Sequence, residues 1–116
     1  MFALNFYSPI VAEQLRTLRK TATIRLGDKS RKYQKGQIVS VLVGARYGPR
    51  QKIFDAVIDK VDVKRLADLS PREIEHDNPE IRRPEEMAVF LGQLYNREVS
   101  DEDTVTVIRF SAIKNA

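Results

Sequence analysis

Phe2, Leu4 and Phe6 alternate with smaller or polar residues, the period-two pattern of a half-buried strand. Ser8 and Pro9 follow, a capping residue and a residue suited to the first helical position. Val11, Leu15 and Leu18 then recur at helical spacing, which predicts a helix from Pro9 to about Leu18. From Thr21 the period returns to two: Ala22 and Ile24 share the inward face of a predicted strand, and Thr21, Thr23 and Arg25 share the polar one. A polar loop continues to Gly36, placed where a backbone angle closed to other residues turns the chain into the next strand. Ile38 to Val43 is rich in β-branched residues and reads as a core strand. The glycine- and proline-containing turn Gly44 to Pro49 leads to a strand from Ile53 to Val63, long enough to bend around a barrel corner. Ser70-Pro71-Arg72-Glu73 has capping-box spacing and opens a short helix. Pro84-Glu85-Glu86 opens another, with Met87, Phe90, Leu91 and Leu94 as its apolar stripe. Thr104 to Phe110 is a closing strand, and the tail from Ser111 to Ala116 is expected to fray.

The order strand, helix, three strands, two helices, strand has no parallel βαβ alternation. It predicts a single domain over residues 1–116 of the α+β class: a small, mostly antiparallel β-barrel with short flanking helices. The chain has no cysteine, which excludes disulfides, thiolate chemistry and cysteine zinc sites. Its N-terminal residues do not read as a signal peptide, and no apolar run approaches the ~18 residues of a membrane helix. A cytoplasmic protein with no membrane partner is the expectation, and nothing in the sequence implies a cofactor.

Charge changes the picture most. Between Arg16 and Lys35 lie eight basic residues, Arg16, Arg19, Lys20, Arg25, Lys29, Arg31, Lys32 and Lys35, opposed only by Asp28. This stretch carries +7 in a chain whose total is +4. A smaller basic group follows at Arg46, Arg50 and Lys52, whereas Asp55 to Asp103 holds fourteen acidic residues against seven basic ones. So polarised a field attracts phosphate-bearing partners to one side of the molecule.

Pro9-Ile10, Leu15, Lys20-Thr21-Ala22-Thr23-Ile24-Arg25 and Tyr33-Gln34-Lys35-Gly36-Gln37-Ile38-Val39 together resemble ASCH domains. Ala56-Val57-Ile58, Asp68-Leu69-Ser70, Tyr95 and Val105 to Phe110 agree in the same order, so the resemblance spans nearly the whole chain. It implies a PUA-like β-barrel with a cleft beside the N-terminal helix, and RNA or a modified nucleoside or nucleotide as partner. The family hallmark places a glycine two residues before the lysine; here that position is Leu18. One branch of the family removes the acetyl group of N(4)-acetylcytidine with a lysine, a threonine and a downstream acid. The resemblance carries the first two onto Lys20 and Thr23, and the acid onto Asp77, with Glu80 as the alternative.

Chemically, Thr23 would attack the amide carbonyl while Lys20 removes its proton. The acid would assist the leaving amine, and Arg25 would orient the base or steady the oxyanion. Lys20 can act only if its pKa falls well below the usual lysine value through burial or neighbouring cations such as Arg19 and Arg25. A non-catalytic module is the other reading, binding through Arg19, Arg25, Lys29, Arg31 and Lys32, with Tyr47 in its loop available to stack on a base. Tyr33, next to a turn, is expected to pack on the barrel instead. His76 stands among Glu75, Asp77 and Glu80, but one histidine among surface acids does not make a metal site. A nuclease would need a metal cluster or histidine pair that the sequence lacks.

Overall fold

In the computed structural model, which describes residues 2–45 and 47–114, the period-two segments form one five-stranded sheet. Its strands are β1 (Phe2–Phe6), β2 (Ala22–Leu26), β3 (Ile38–Gly44), β4 (Arg50–Arg65) and β5 (Thr104–Ala112), in spatial order β1-β3-β4-β5-β2. Helix α1 (Pro9–Arg16) lies between β1 and β2; α2 (Pro71–Asp77) and α3 (Pro84–Tyr95) lie between β4 and β5, after a short 3-10 turn at Leu66–Asp68. Three strand pairs are antiparallel, but β1 runs parallel to β3, with Leu4 opposite Val41. That parallel pair corrects the expectation from element order: α1, β2 and the loop to Gly36 together make the crossover.

The curled sheet separates two cores. Leu4, Phe6, Val39, Val41, Ala56, Ile58, Ile108 and Phe110 fill the concave side, closed by Ala12 and Leu15 of α1 and by Tyr33. Ile24, Leu26, Val105 and Val107 point to the convex side, where Ile74, Met87 and Leu91 of α2 and α3 cover them. β5 serves both cores because successive side chains leave opposite faces of a strand. β4 changes its phase at a bulge between Ile58 and Lys60. Ala56 and Ile58 point inward before it, and Val61 packs against the inner core after it. This is the bend that the strand's length predicted, although β4 extends further at both ends than its apolar stretch.

Other boundaries moved for local reasons. β5 continues through Ser111 and Ala112, which pair with Val57 and Ala56, so these two residues are not part of a frayed tail. The last two residues of that predicted tail, Asn115 and Ala116, lie outside the described residues. In α3, Met87 and Leu91 are buried, but Leu94 is 56% exposed and does not belong to the core stripe. Gly36 adopts φ +87, as its position before β3 required, and Gly27 does the same at +88.

α1 stops two residues short of the predicted Leu18. Leu18 N–H donates to the Leu15 carbonyl and Arg19 N–H to the Gln14 carbonyl, the paired bonds of a Schellman motif. Leu18 sits at φ 60, in the left-handed region where glycine is favoured. This is the position at which the resemblance expects glycine; here leucine adopts that angle, and Leu18 is half exposed rather than packed. Leu18→Gly is therefore expected to stabilise the protein by about 0.5–1 kcal/mol, because relief of the left-handed penalty outweighs the added freedom of the unfolded chain. Thermal unfolding of the variant against the parent checks the sign.

Candidate functional site

The Schellman turn at the end of α1 delivers Lys20 into the interior, its N–H also bonded to the Gln14 carbonyl. On the other side, the capping box of Ser70 and Glu73 fixes the start of α2, whose last residue is Asp77. Lys20 Nζ donates to Asp77 Oδ1 at 2.9 Å and to the Asp77 carbonyl at 2.6 Å. Asp77 Oδ1 also accepts from Ile24 N–H at 2.9 Å. The carboxylate thus satisfies a backbone donor of edge strand β2 as well as a buried ammonium. Lys20 and Asp77 are each about 5% exposed.

Thr23, 3% exposed, points into the concave side. Its hydroxyl oxygen accepts from Arg25 Nε at 2.9 Å, while another nitrogen of the same guanidinium donates to the Asn5 carbonyl of β1, also at 2.9 Å. One arginine therefore spans the seam between the sheet's two edge strands. The Lys20 ammonium and the Arg25 guanidinium lie 5.3 and 4.9 Å from the centre of the Phe6 ring, within cation–π range. The polar face of β2 is accordingly buried in the seam rather than solvated, because its polar atoms have partners there. Arg25 is not paired with Asp28 as a simple surface bridge.

Burial pushes the Lys20 pKa down, the Asp77 carboxylate opposes that shift, and Arg25 adds to it. The direction suits a base, but the bonding is that of an ion pair: Lys20 donates to Asp77, and no hydrogen bond joins it to Thr23. Glu80 is exposed, and its N–H donates to the Asn78 side chain, so Asp77 alone reaches the seam.

The remaining predicted residues lie outside this buried cluster. Arg19 is exposed and donates to Thr17 Oγ1. Arg31 and Lys32 are exposed in the loop after β2, with the Lys32 ammonium 5.3 Å from the Tyr33 ring centre. Lys29 is half-buried and anchors that loop through its N–H to Thr106 Oγ1. Tyr33 is buried and donates its hydroxyl to the Ala3 carbonyl, a packing role; Tyr47 is 97% exposed. Arg46 lies outside the described residues. Among the described residues no three potential metal ligands come together, and no helix is long and apolar enough to cross a membrane.

Ion pairs are sparser among the cations of the basic stretch than beyond it. Lys52, Lys60, Lys64, Arg65 and Arg97 each pair with a carboxylate. Of the eight cations between Arg16 and Lys35, only Lys20 does so among the described residues. Sequence reading missed Asn5 and Phe6 as parts of the site. Asn5 accepts from Arg25 through its carbonyl and from Arg50 through Oδ1 at 3.2 Å. A polar residue between Leu4 and Phe6 on an apolar strand was the available signal.

No protein-family model matches the sequence, and no curated protein matches it. Solved structures do. Protein EF3133 of Enterococcus faecalis V583, assigned to DUF984, superposes with a TM-score of 0.70 at 17% identity, covering 97% of this chain and 82% of that one. An ASCH domain from Lactobacillus crispatus JV V101 gives 0.64 at 16% identity, over 89% of this chain and 70% of that one. The hypothetical protein PH0355 gives 0.64 at 19%, over 95% of this chain and all of that one. The chain has the α+β, curled half-barrel fold of PUA-like ASCH domains.

Proposed function

We propose that the protein binds RNA or a nucleotide through the basic surface contributed by residues 16–35. The observation that carries this reading is the clustering of cations without carboxylate partners: Arg16, Arg19, Arg31, Lys32 and Lys35 are exposed, form no ion pair among the described residues, and belong to one stretch that holds a single acid. Exposed cations of this kind hold phosphates and gain affinity from released counterions. An NMR titration with a single-stranded RNA oligonucleotide is expected to shift the backbone signals of Arg19, Arg31 and Lys32 before those of the acidic α3 surface. Shifts confined to the acidic half, or none at low salt, would overturn the proposal.

A second reading, hydrolysis of an acylated cytidine, is favoured by one specific feature: Lys20, Thr23 and Asp77 converge in one seam. In this reading Arg25 leaves Asn5 to admit the substrate, since the three groups are otherwise enclosed. Its donation to the Thr23 oxygen favours the deprotonated hydroxyl, and neutral Lys20 takes the proton. The wild type is then expected to release cytidine from N(4)-acetylcytidine, with Lys20→Ala and Thr23→Ala each losing at least about 100-fold in rate. Because burial lowers the Lys20 pKa, kcat/KM would rise with pH along a limb lying below that of a solvated lysine. Absence of turnover by the folded wild type removes this reading and leaves the first intact.

A further inference from the structure

On the convex face of the sheet, α2, strands β4 and β5 and Ala22 of β2 line a groove of about 270 Å³. This lies near the lower end of small-molecule sites, which span roughly 300–1,000 Å³. Ala22 and Val107 line it, while Arg72 and His76 of α2, Lys60 of β4 and Arg109 of β5 bring nitrogen donors to it. Lys64 and Glu73, bonded to each other at 2.8 Å, and Asp62, 3.1 Å from Lys60, are also at its edge. Two carboxylates thus face four permanent cations. Among the described residues neither Arg72 nor Arg109 forms an ion pair.

Sheet register gives an independent reason to expect an anion here. Arg109 stands directly opposite Lys60 on one side and Ala22 on the other. Like charges facing each other across strands destabilise a sheet. Ala22, the smallest side chain in that row, provides no counter-charge and leaves space above itself. Val105 and Val107, the preceding residues on this face of β5, are buried under the helices, so Arg109 marks the point where the apolar cover gives way to the groove.

We propose that this groove binds the phosphate group of a small phosphomonoester, with Arg109 and Arg72 as its principal donors and His76 and Lys60 completing the cradle. Arginine's fork of N–H donors matches phosphate oxygens in pairs, and a dianion neutralises the Lys60–Arg109 juxtaposition. None of these donors belongs to the cations of residues 16–35, so each site can fail without the other.

The test compares inorganic phosphate and methyl phosphate against chloride at matched ionic strength, by thermal unfolding and NMR titration. Both phosphates are expected to raise the Tm of the wild type and to shift the signals of Arg72, His76 and Arg109. Arg72→Gln and Arg109→Gln should each weaken methyl phosphate binding roughly tenfold, as expected for loss of a charge-assisted contact. Melting in chloride shows whether these variants fold; Arg109→Gln removes a like-charge contact and should melt no lower than the wild type. The Lys29, Arg31 and Lys32 triple alanine variant should keep the phosphate response, which separates this site from the RNA surface. Binding of inorganic phosphate alone would overturn the monoester assignment. No phosphate-specific shift, or an equal one in the arginine variants, would overturn the site.

Discussion

Asp77→Ala is expected to destabilise the protein by roughly 3–5 kcal/mol, the range for breaking a buried ion pair by removing one partner. Against the usual ~5–15 kcal/mol of a small domain, that is a large share of the total. The loss has two sources. Lys20 is left as a buried ammonium with only the Asp77 backbone carbonyl as acceptor, and Ile24 N–H loses the carboxylate that satisfies it at the edge of β2. The deficit also depends on pH. Without Asp77, burial and Arg25 both push the Lys20 pKa down, so the folded state holds this proton less tightly than the unfolded chain. The penalty is then complete below the depressed folded value and shrinks as pH rises toward that of a solvated lysine. Lys20→Met combined with Asp77→Asn removes the uncompensated charge while keeping an oxygen for Ile24 N–H, and should recover most of the loss. Denaturant unfolding of the two single variants and the double variant measures the coupling; additive losses would show that Lys20 and Asp77 do not act as a pair.

The second large effect concerns the surface. Replacing Lys29, Arg31 and Lys32 together with alanine is expected to weaken binding to single-stranded RNA by about 10- to 100-fold near 0.1 M salt, similarly for unrelated sequences, because phosphate contacts carry no base information. Arg31 and Lys32 are exposed and supply most of this effect. Lys29 fixes the loop through its backbone N–H, which alanine retains, so the variant should melt close to the wild type. Retained affinity in a folded triple variant would remove these residues from the interface.

Much of the fold was legible because its strands carry the period of the sheet they enter. Alternation alone marks Phe2–Phe6, and the β-branched run marks Ile38–Gly44. What escaped depended on tertiary partners. Arg50, Gln51 and Lys52 have no apolar pattern, yet they pair with Gly44, Val43 and Leu42 and extend β4. The parallel register of β1 on β3 has no local signal at all. Leu94 has helical spacing with the buried Met87 and Leu91, but the helix turns it toward solvent.

The site was legible to a similar depth. Lys20, Thr23 and Arg25 come from one short segment, and the structure brings all three to the same seam with Asp77. The resemblance placed the acid at Asp77 with Glu80 as the alternative; Asp77 is the buried last residue of α2, and Glu80 is exposed beyond the helix. Nor could it foresee that the Arg25 guanidinium joins β2 to β1, since that contact exists only after the sheet curls. Leu18 is the instructive departure: it stands where the resemblance expects glycine, and its backbone adopts the left-handed angle with leucine in place.

A phosphate-binding surface formed by the cations of residues 16–35 makes RNA affinity depend steeply on salt. For single-stranded RNA the slope of log K against log salt is about −0.7 for each phosphate neutralised. The wild type is expected to give a slope of roughly −3 or steeper, and the Lys29, Arg31 and Lys32 triple variant one shallower by about 2. An affinity that barely changes with salt, or a slope the triple variant leaves unaltered, would contradict it.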